Sequence, residues 1–202
     1  MLRINLEFAS LDRPLKSLLV ASAGPEEGKS LSLANLAIAM ADGDRKVIVV
    51  DTDLRQPRLH DFFGLKNEVG FSDMFRDQAA FDQPALQTVA GTGLRLLPSG
   101  PLPPIPSQLL SSRKMNDVIA RLAQECDLVL FDAPPVVAVT DASLLASKVD
   151  GVLLVVRSGT TRREHVAEAK NRLEKVNAWL VGAVLVNAPY DTSLSRYYSD
   201  TN

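Results

Sequence analysis

The sequence predicts an α/β fold: a mostly parallel central sheet flanked by helices on both faces. Two observations carry this. Six short runs, at 18–20, 47–50, 94–97, 128–131, 152–156 and 181–186, are almost continuously apolar rather than alternating, as strands covered on both faces are. Helical spacing fills the gaps between them. Residues 31–40 read as a helix. Met115, Val118, Ile119 and Leu122 fall at i, i+3, i+4 and i+7, and Val166, Ala169, Leu173 and Val176 keep a similar spacing. Strands alternating with helices specify the class. A chain of 202 residues suits one domain with a full-sized core, spanning 1–202. The segment 98–106 holds five prolines, at 98, 101, 103, 104 and 106. It reads as an extended surface connection and not a domain linker, because strand–helix alternation resumes directly after it.

Composition narrows the function. Apolar residues at 46% and charged residues at 23% describe a folded globular chain. A net charge of −2 gives no basic surface for nucleic acid. One cysteine, Cys126, excludes an internal disulfide framework and a Cys-based metal cluster, and fits a reducing cytoplasm. No run approaches the ~18 apolar residues of a membrane span, and Met1-Leu2-Arg3-Ile4-Asn5 has no signal-peptide character. A membrane link is expected to come from a partner or from sequence outside this chain.

Ala23-Gly24-Pro25-Glu26-Glu27-Gly28-Lys29-Ser30 fits the relaxed phosphate-loop pattern, with Ala at the first Gly position. It follows a strand and opens a helix at Leu31, the context the motif needs. Backbone N–H groups of such a loop and of the helix N-terminus point at phosphates. Gly28 lets the backbone approach, Lys29 reaches the β- and γ-phosphates, and Ser30 offers a hydroxyl to Mg²⁺. Residues 23–31 are the expected site for ATP or ADP with Mg²⁺.

Two strands end in carboxylates. The second runs into Asp51-Thr52-Asp53-Leu54-Arg55, the fourth into Asp132-Ala133-Pro134-Pro135. Ligands of open α/β sheets sit beyond the carboxyl ends of strands. Asp51, Asp53 and Asp132 are therefore expected to share a crevice with Lys29, and these four are the candidate catalytic residues. Carboxylates there hold Mg²⁺ directly or through water, or accept a proton from an attacking hydroxyl. Ser30, Asp51 and Asp132 form the expected metal set. Asp53 and Arg55 also suit a turn.

These residues resemble a known family. Asp51-Thr52-Asp53-Leu54-Arg55-Gln56-Pro57 is similar to the second Walker-A-like motif of the bacterial tyrosine kinases. Phe131-Asp132-Ala133-Pro134-Pro135-Val136-Val137, with Thr140-Asp141-Ala142, resembles their Walker B segment. Ser99-Gly100-Pro101 through Pro106-Ser107-Gln108-Leu109-Leu110 resembles a further block, so the resemblance covers nearly the whole chain. It implies a P-loop NTPase with deviant Walker motifs. It also implies autophosphorylation on tyrosine at the cytoplasmic face of the membrane, and control of capsule or exopolysaccharide assembly beside a membrane-embedded polysaccharide co-polymerase as activator. Lys29 and Ser30 match the nucleotide loop, Asp51 and Asp53 the paired carboxylates, and Asp132 Walker B; the family gives Asp51 a base-like role. Septum-placing and plasmid-partition ATPases are related nucleotide-gated switches, but carry a second lysine where this chain has Gly24. In such relatives an Asn at the end of the last strand contacts the base, which nominates Asn187; a turn-forming Asn is the other reading.

The chain departs from the family pattern in places. Ile105 and Gln108 stand where Asn and Glu are common. Arg3 looks like the last Arg of the family's oligomerisation helix, whose earlier part is not in this sequence. A cut domain, with self-association into a ring or dimer impaired, is the expectation.

The tyrosines, Tyr190, Tyr197 and Tyr198, all lie in the last 13 residues. The polar tail 190–202 is expected to be mobile and able to reach a neighbouring subunit, which makes all three candidate phosphoacceptors. Each phosphorylation would add about −1.5 to −2 charges and could loosen a ring. Tyr190, just after Pro189, also suits packing on the domain. His60 and His165 lack ligand-spaced neighbours and read as structural. Cys126 reads as a buried inert thiol and Trp179 as sheet packing. Arg162-Arg163 reads as a solvated pair or a subunit contact.

Overall fold

The computed structural model describes residues 1–42 and 45–189. Its elements run α1 (Leu2–Ala9), β1 (Ser17–Ser22), α2 (Lys29–Ala41), β2 (Val47–Asp51), α3 (Leu59–Phe63), a 3₁₀ turn (Phe71–Phe75), α4 (Gln78–Asp82), β3 (Gln87–Thr88) and β4 (Arg95–Leu97). They continue through α5 (Pro106–Ser111), α6 (Lys114–Ala123), β5 (Leu128–Asp132), α7 (Asp141–Ala146), β6 (Gly151–Arg157), α8 (Arg163–Lys175) and β7 (Leu180–Val186). The seven strands form one sheet in the order β3-β4-β2-β5-β1-β6-β7. Every pairing is parallel except the edge pair β3–β4. All six strands expected from the sequence are present; β3, two residues long, carries no sequence signal.

The apolar runs split by parity, because successive side chains in a strand point to opposite faces. Leu19, Ala21, Ile48, Val50, Val129 and Phe131 face one core, which α6 closes with Met115, Val118, Ile119 and Leu122. Leu18, Val20, Val47, Val49, Leu128 and Leu130 face the other, which α2 closes with Leu33, Leu36, Ala37 and Met40. Each large side chain so buried contributes about 1.5–3 kcal/mol relative to leaving it exposed. The central strands β1, β2 and β5 are buried along their whole length, including the polar residues Ser22, Asp51 and Asp132 at their carboxyl ends.

The proline-rich segment is only partly the surface connection that its composition suggests. Pro98, Ser99 and Gly100 are buried and Pro106 opens α5; residues 101–105 are largely exposed. Phe71 N–H and Ser72 N–H donate to Pro98 and Ser99 carbonyls, and Gly100 N–H donates to Asn67 Oδ1. The chains approach so closely that a Cβ at Gly70 would fall 2.1 Å from the Pro98 carbonyl oxygen. Buried backbone must find partners, and here one loop supplies them to another.

The helix α1 packs Leu6 into the core and donates from Arg3 Nη1 to the Ala39 carbonyl at 3.2 Å. Cys126 is half-buried; burial pushes its thiol up to about 11, consistent with an inert group. Trp179 sits just before β7 under the Arg13 guanidinium, 4.5 Å from the ring centre. His165 is exposed on α8. Among the described residues, no helix is long and apolar enough to cross a membrane.

Candidate functional site

The carboxyl edge of the sheet carries a crevice of about 240 Å³. One wall is the loop 23–31. Ala23 is buried at the end of β1, and Gly28 takes a left-handed φ of 84° as the residue before α2. Glu26 is also left-handed, at φ 58°, a conformation uncommon outside glycine. Two side chains hold this turn. Arg157, at the end of β6, donates to the Glu26 carbonyl at 2.9 Å. Glu27 is buried and its Oε2 accepts from Ala23 N–H at 3.0 Å, while a Cβ at Gly24 would meet Glu27 Oε1 at 3.0 Å. Pro25 is exposed, and Leu31 faces outward, 55% exposed, from the first turn of α2.

The backbone of this wall is unspent. Among the described residues, the N–H groups of Gly24, Glu26, Glu27, Gly28, Lys29 and Ser30 find no acceptor. Consecutive N–H groups beside a helix N-terminus form an anion cradle. Lys29, 8% exposed, sets its ammonium between Ser30 Oγ and Asp132 Oδ1, and Ser30 Oγ donates to Asp132 Oδ2 at 2.7 Å. Expected partners from residues 29, 30 and 132 are thus in direct contact. Hard oxygen donors of this kind suit Mg²⁺, which keeps one or two protein oxygens and completes its shell with water and phosphate. Among the described residues, no group of three His, Cys, Asp or Glu side chains forms a metal cage without such a supplement.

The opposite wall is the segment 51–62, where the N–H groups of Thr52, Asp53, Arg55, Gln56, Arg58, Leu59 and Phe62 all have acceptors. Asp51 is completely buried, paired in register with Asp132 across the β2–β5 ladder. Its Oδ1 accepts from Asp53 N–H at 3.2 Å, and its Oδ2 from Arg58 and Leu59 N–H at 3.1 and 3.0 Å. Burial, with the Asp132 charge adding to it, raises its pKa to about 7, against the opposing Leu59 N–H. Asp53 Oδ1 accepts from Arg55 and Gln56 N–H at 3.2 and 3.0 Å, and burial raises its pKa as well. Asp53 lines the crevice; Asp51 and Asp132 stand behind its surface.

Other residues gained roles that the sequence did not disclose. Arg55, read from the sequence as part of the second motif and suited to a turn, makes a two-pronged bond from Nε and Nη2 to Asp141, at 2.8 and 3.1 Å. Asp141 is buried at the start of α7, so this pair ties the loop after β2 to the segment after β5. His60 approaches Asp61 through Nε2, while its buried Nδ1 has no partner among the described residues. Gln56, inside the second motif, lines the crevice, as do Arg58 and Phe62, which lie beyond any motif. Asn187 follows β7 with a left-handed φ of 56° and an exposed side chain, a geometry that suits a turn former. Tyr190, Tyr197 and Tyr198 lie outside the described residues.

Comparison with known proteins agrees with this geometry. Residues 17–196 match the family model described as cellulose biosynthesis protein BcsQ. The tyrosine-protein kinase YwqD of Bacillus subtilis is 42% identical over 184 residues, 91% of this chain and 77% of that protein. The tyrosine-protein kinase Etk of Escherichia coli is 32% identical over 184 residues, which span 91% of this chain but only 25% of Etk. The solved kinase domain of Etk superposes with a TM-score of 0.87 at 31% identity, covering 95% of this chain and 75% of that one. The chimerical protein CapA2B2 gives a TM-score of 0.87 at 35% identity, covering 93% and 82%.

Proposed function

We propose that this chain, which belongs to the bacterial tyrosine-protein kinase family, uses its crevice to move the γ-phosphoryl group of ATP onto tyrosine hydroxyls. The observation that supports the reading best is the pairing of opposite chemistries across one crevice. Unpartnered N–H groups and Lys29 stand on one wall, buried carboxylates on the other.

Lys29 and the loop amides hold the β- and γ-phosphates and meet the charge that develops on the transferring group. Ser30 and Asp132 would hold Mg²⁺, which supplies charge neutralisation between the phosphates. The Asp51–Asp53 pair accepts the phenol proton. Asp53 stands at the crevice surface, and Asp51 behind it has a pKa of about 7, near where a general base works best. Loss of that proton leaves the phenolic oxygen to form the new P–O bond as the bond to the leaving ADP oxygen breaks. Arg55 and Asp141 keep the carboxylate loop in place.

Tail tyrosines 190, 197 and 198 are the proposed acceptors, donated to a neighbouring subunit from a tail that follows the last strand. The proposed setting is the cytoplasmic face of the membrane, beside a membrane-embedded polysaccharide co-polymerase. The polysaccharide assignment is supported by the family model's own description. Gly24, where partition ATPases have lysine, argues for transfer over a positioning switch.

The test is incubation with ATP and Mg²⁺ followed by phosphotyrosine mapping, on this chain and on one extended upstream of Met1 with its activator supplied. Phosphate on Tyr197 and Tyr198 is expected. Absence of phosphotyrosine from both would sink the kinase reading.

A further inference from the structure

The wall that carries Asp53 also carries an apolar side chain that the core does not use. Phe62 is 50% exposed and lines the crevice. Its neighbours on α3 hold that helix down: Leu59 is fully buried, and Phe63 packs against the same core. Among the described residues, Phe62 therefore has no packing duty at the crevice mouth. Leu31, 55% exposed, lines the same crevice from the loop wall. The mouth thus has apolar lips over a polar floor of Asp53, Lys29 and Ser30. A tyrosine has the matching shape, an apolar ring with a polar tip.

The position in the sheet sets Phe62 apart from the β6 and β7 side of the loop. Phe62 follows β2, which lies two strands from β1 on the side opposite β6 and β7. Arg157 and Asn187 lie on that other side, at the ends of β6 and β7. A nucleotide extending from the loop toward β6 and β7 leaves the β2 side to the acceptor.

Arg58 adds a second element. Its backbone is fixed at both ends: its N–H donates to Asp51, and its carbonyl accepts from Phe62 N–H at 3.2 Å. Its guanidinium is exposed, lines the crevice, and has no carboxylate within 4.0 Å among the described residues. Four residues apart on one turn, Arg58 and Phe62 share a face.

We propose that Phe62 is the platform on which the acceptor ring stacks, and that Arg58 pairs with a carboxylate just C-terminal to the acceptor tyrosine. Building on the tyrosine-kinase reading, this makes the preferred substrate a tyrosine followed within about two residues by an acidic side chain, the i,i+2 reach of an extended segment. The chain's own tail has this pattern: Asp191 follows Tyr190, and Asp200 follows Tyr198 by two positions.

The test uses the full chain with its three tyrosines changed to Phe, Mg²⁺ and a non-hydrolysable ATP analogue. A labelled peptide of the 190–202 sequence reports binding by fluorescence polarisation, and ATP in place of the analogue reports transfer. Phe62→Ala should weaken peptide binding and raise the peptide KM by about two- to tenfold, the range of an aromatic pair, with nucleotide affinity unchanged. Phe62→Tyr should restore both. Arg58→Ala should weaken the wild-type peptide but leave unchanged a peptide with Asp191→Asn and Asp200→Asn. The platform falls if Phe62→Leu binds as well as the parent, or if Phe62→Ala costs nucleotide affinity and leaves the peptide alone, which would make Phe62 a base contact. The charge reading falls if Arg58→Ala weakens both peptides equally. Peptide binding with the expected Phe62 dependence but without any phosphotyrosine would leave the platform standing and remove the kinase reading instead.

Discussion

The two walls of the crevice solve the backbone problem in opposite ways. On the loop wall, the N–H groups of Gly24 and of residues 26–30 point at no acceptor among the described residues. On the wall after β2, the N–H groups of Asp53, Arg55, Gln56, Arg58 and Leu59 all donate to Asp51 or Asp53. The first wall is built to be completed by an anion. The second is completed by its own carboxylates, which fixes its shape before any ligand arrives. The difference teaches where charge is spent: the loop keeps positive potential for the substrate, while the aspartates use part of theirs to hold the chain.

The largest way to break this division is Asp51→Asn. It removes the raised carboxylate, and tyrosine transfer should fall by about 10²–10⁴-fold in a phosphotyrosine assay. In the parent chain, transfer should rise with pH through about 7 as Asp51 loses its proton. Stability runs the other way. The folded pKa lies above the unfolded one, so the contribution of Asp51 is complete in acid and is lost as pH rises through about 7. Asp51→Asn should therefore shrink the drop in melting temperature between about pH 4 and about pH 7, the span between its unfolded and folded pKa values. An unchanged drop would place the pH dependence elsewhere.

Lys29→Met attacks the loop wall. Losing one charged stabiliser of the transferring group should cost about 10²–10³-fold in transfer. It should also move the pH–rate midpoint upward, because the Lys29 charge lowers the pKa of Asp51. A lost rate with an unmoved midpoint would mean that the two walls do not feel each other.

Arg55→Ala is the smallest change and sharpens the comparison. It leaves the buried Asp141 without its two charged bonds, at about 1–3 kcal/mol, read as a lower urea midpoint. Because Arg55 acts by holding the carboxylate loop, kcat should fall while nucleotide affinity stays. A fall in nucleotide affinity alone would argue that the brace serves the wrong wall.

The loop wall was legible in the sequence because its chemistry is local. Gly28, Lys29 and Ser30 act through positions fixed by one turn and one helix start, so spacing alone discloses them. The second wall was half legible. Asp51 and Asp53 stand out as acids at a strand end, but which of them reaches the crevice depends on how the chain turns afterwards. The Arg55–Asp141 pair spans 86 positions and has no local signature. Pro98–Gly100 misled for a related reason. Proline reports the shape of the backbone, not its burial, and these residues are buried because another loop meets their carbonyls.

By itself the sequence determined the α/β class, the six main strands, the nucleotide loop and the identity of the acidic residues, since these follow from periodicity and short motifs. Only the tertiary structure decided the rest. It set Asp51 behind Asp53, joined Lys29 and Ser30 to Asp132, and turned Phe62 and Arg58 toward the crevice. The reason is physical. Burial, pKa and facing direction depend on neighbours distant in sequence, and those neighbours are assigned by the order in which the sheet assembles its strands.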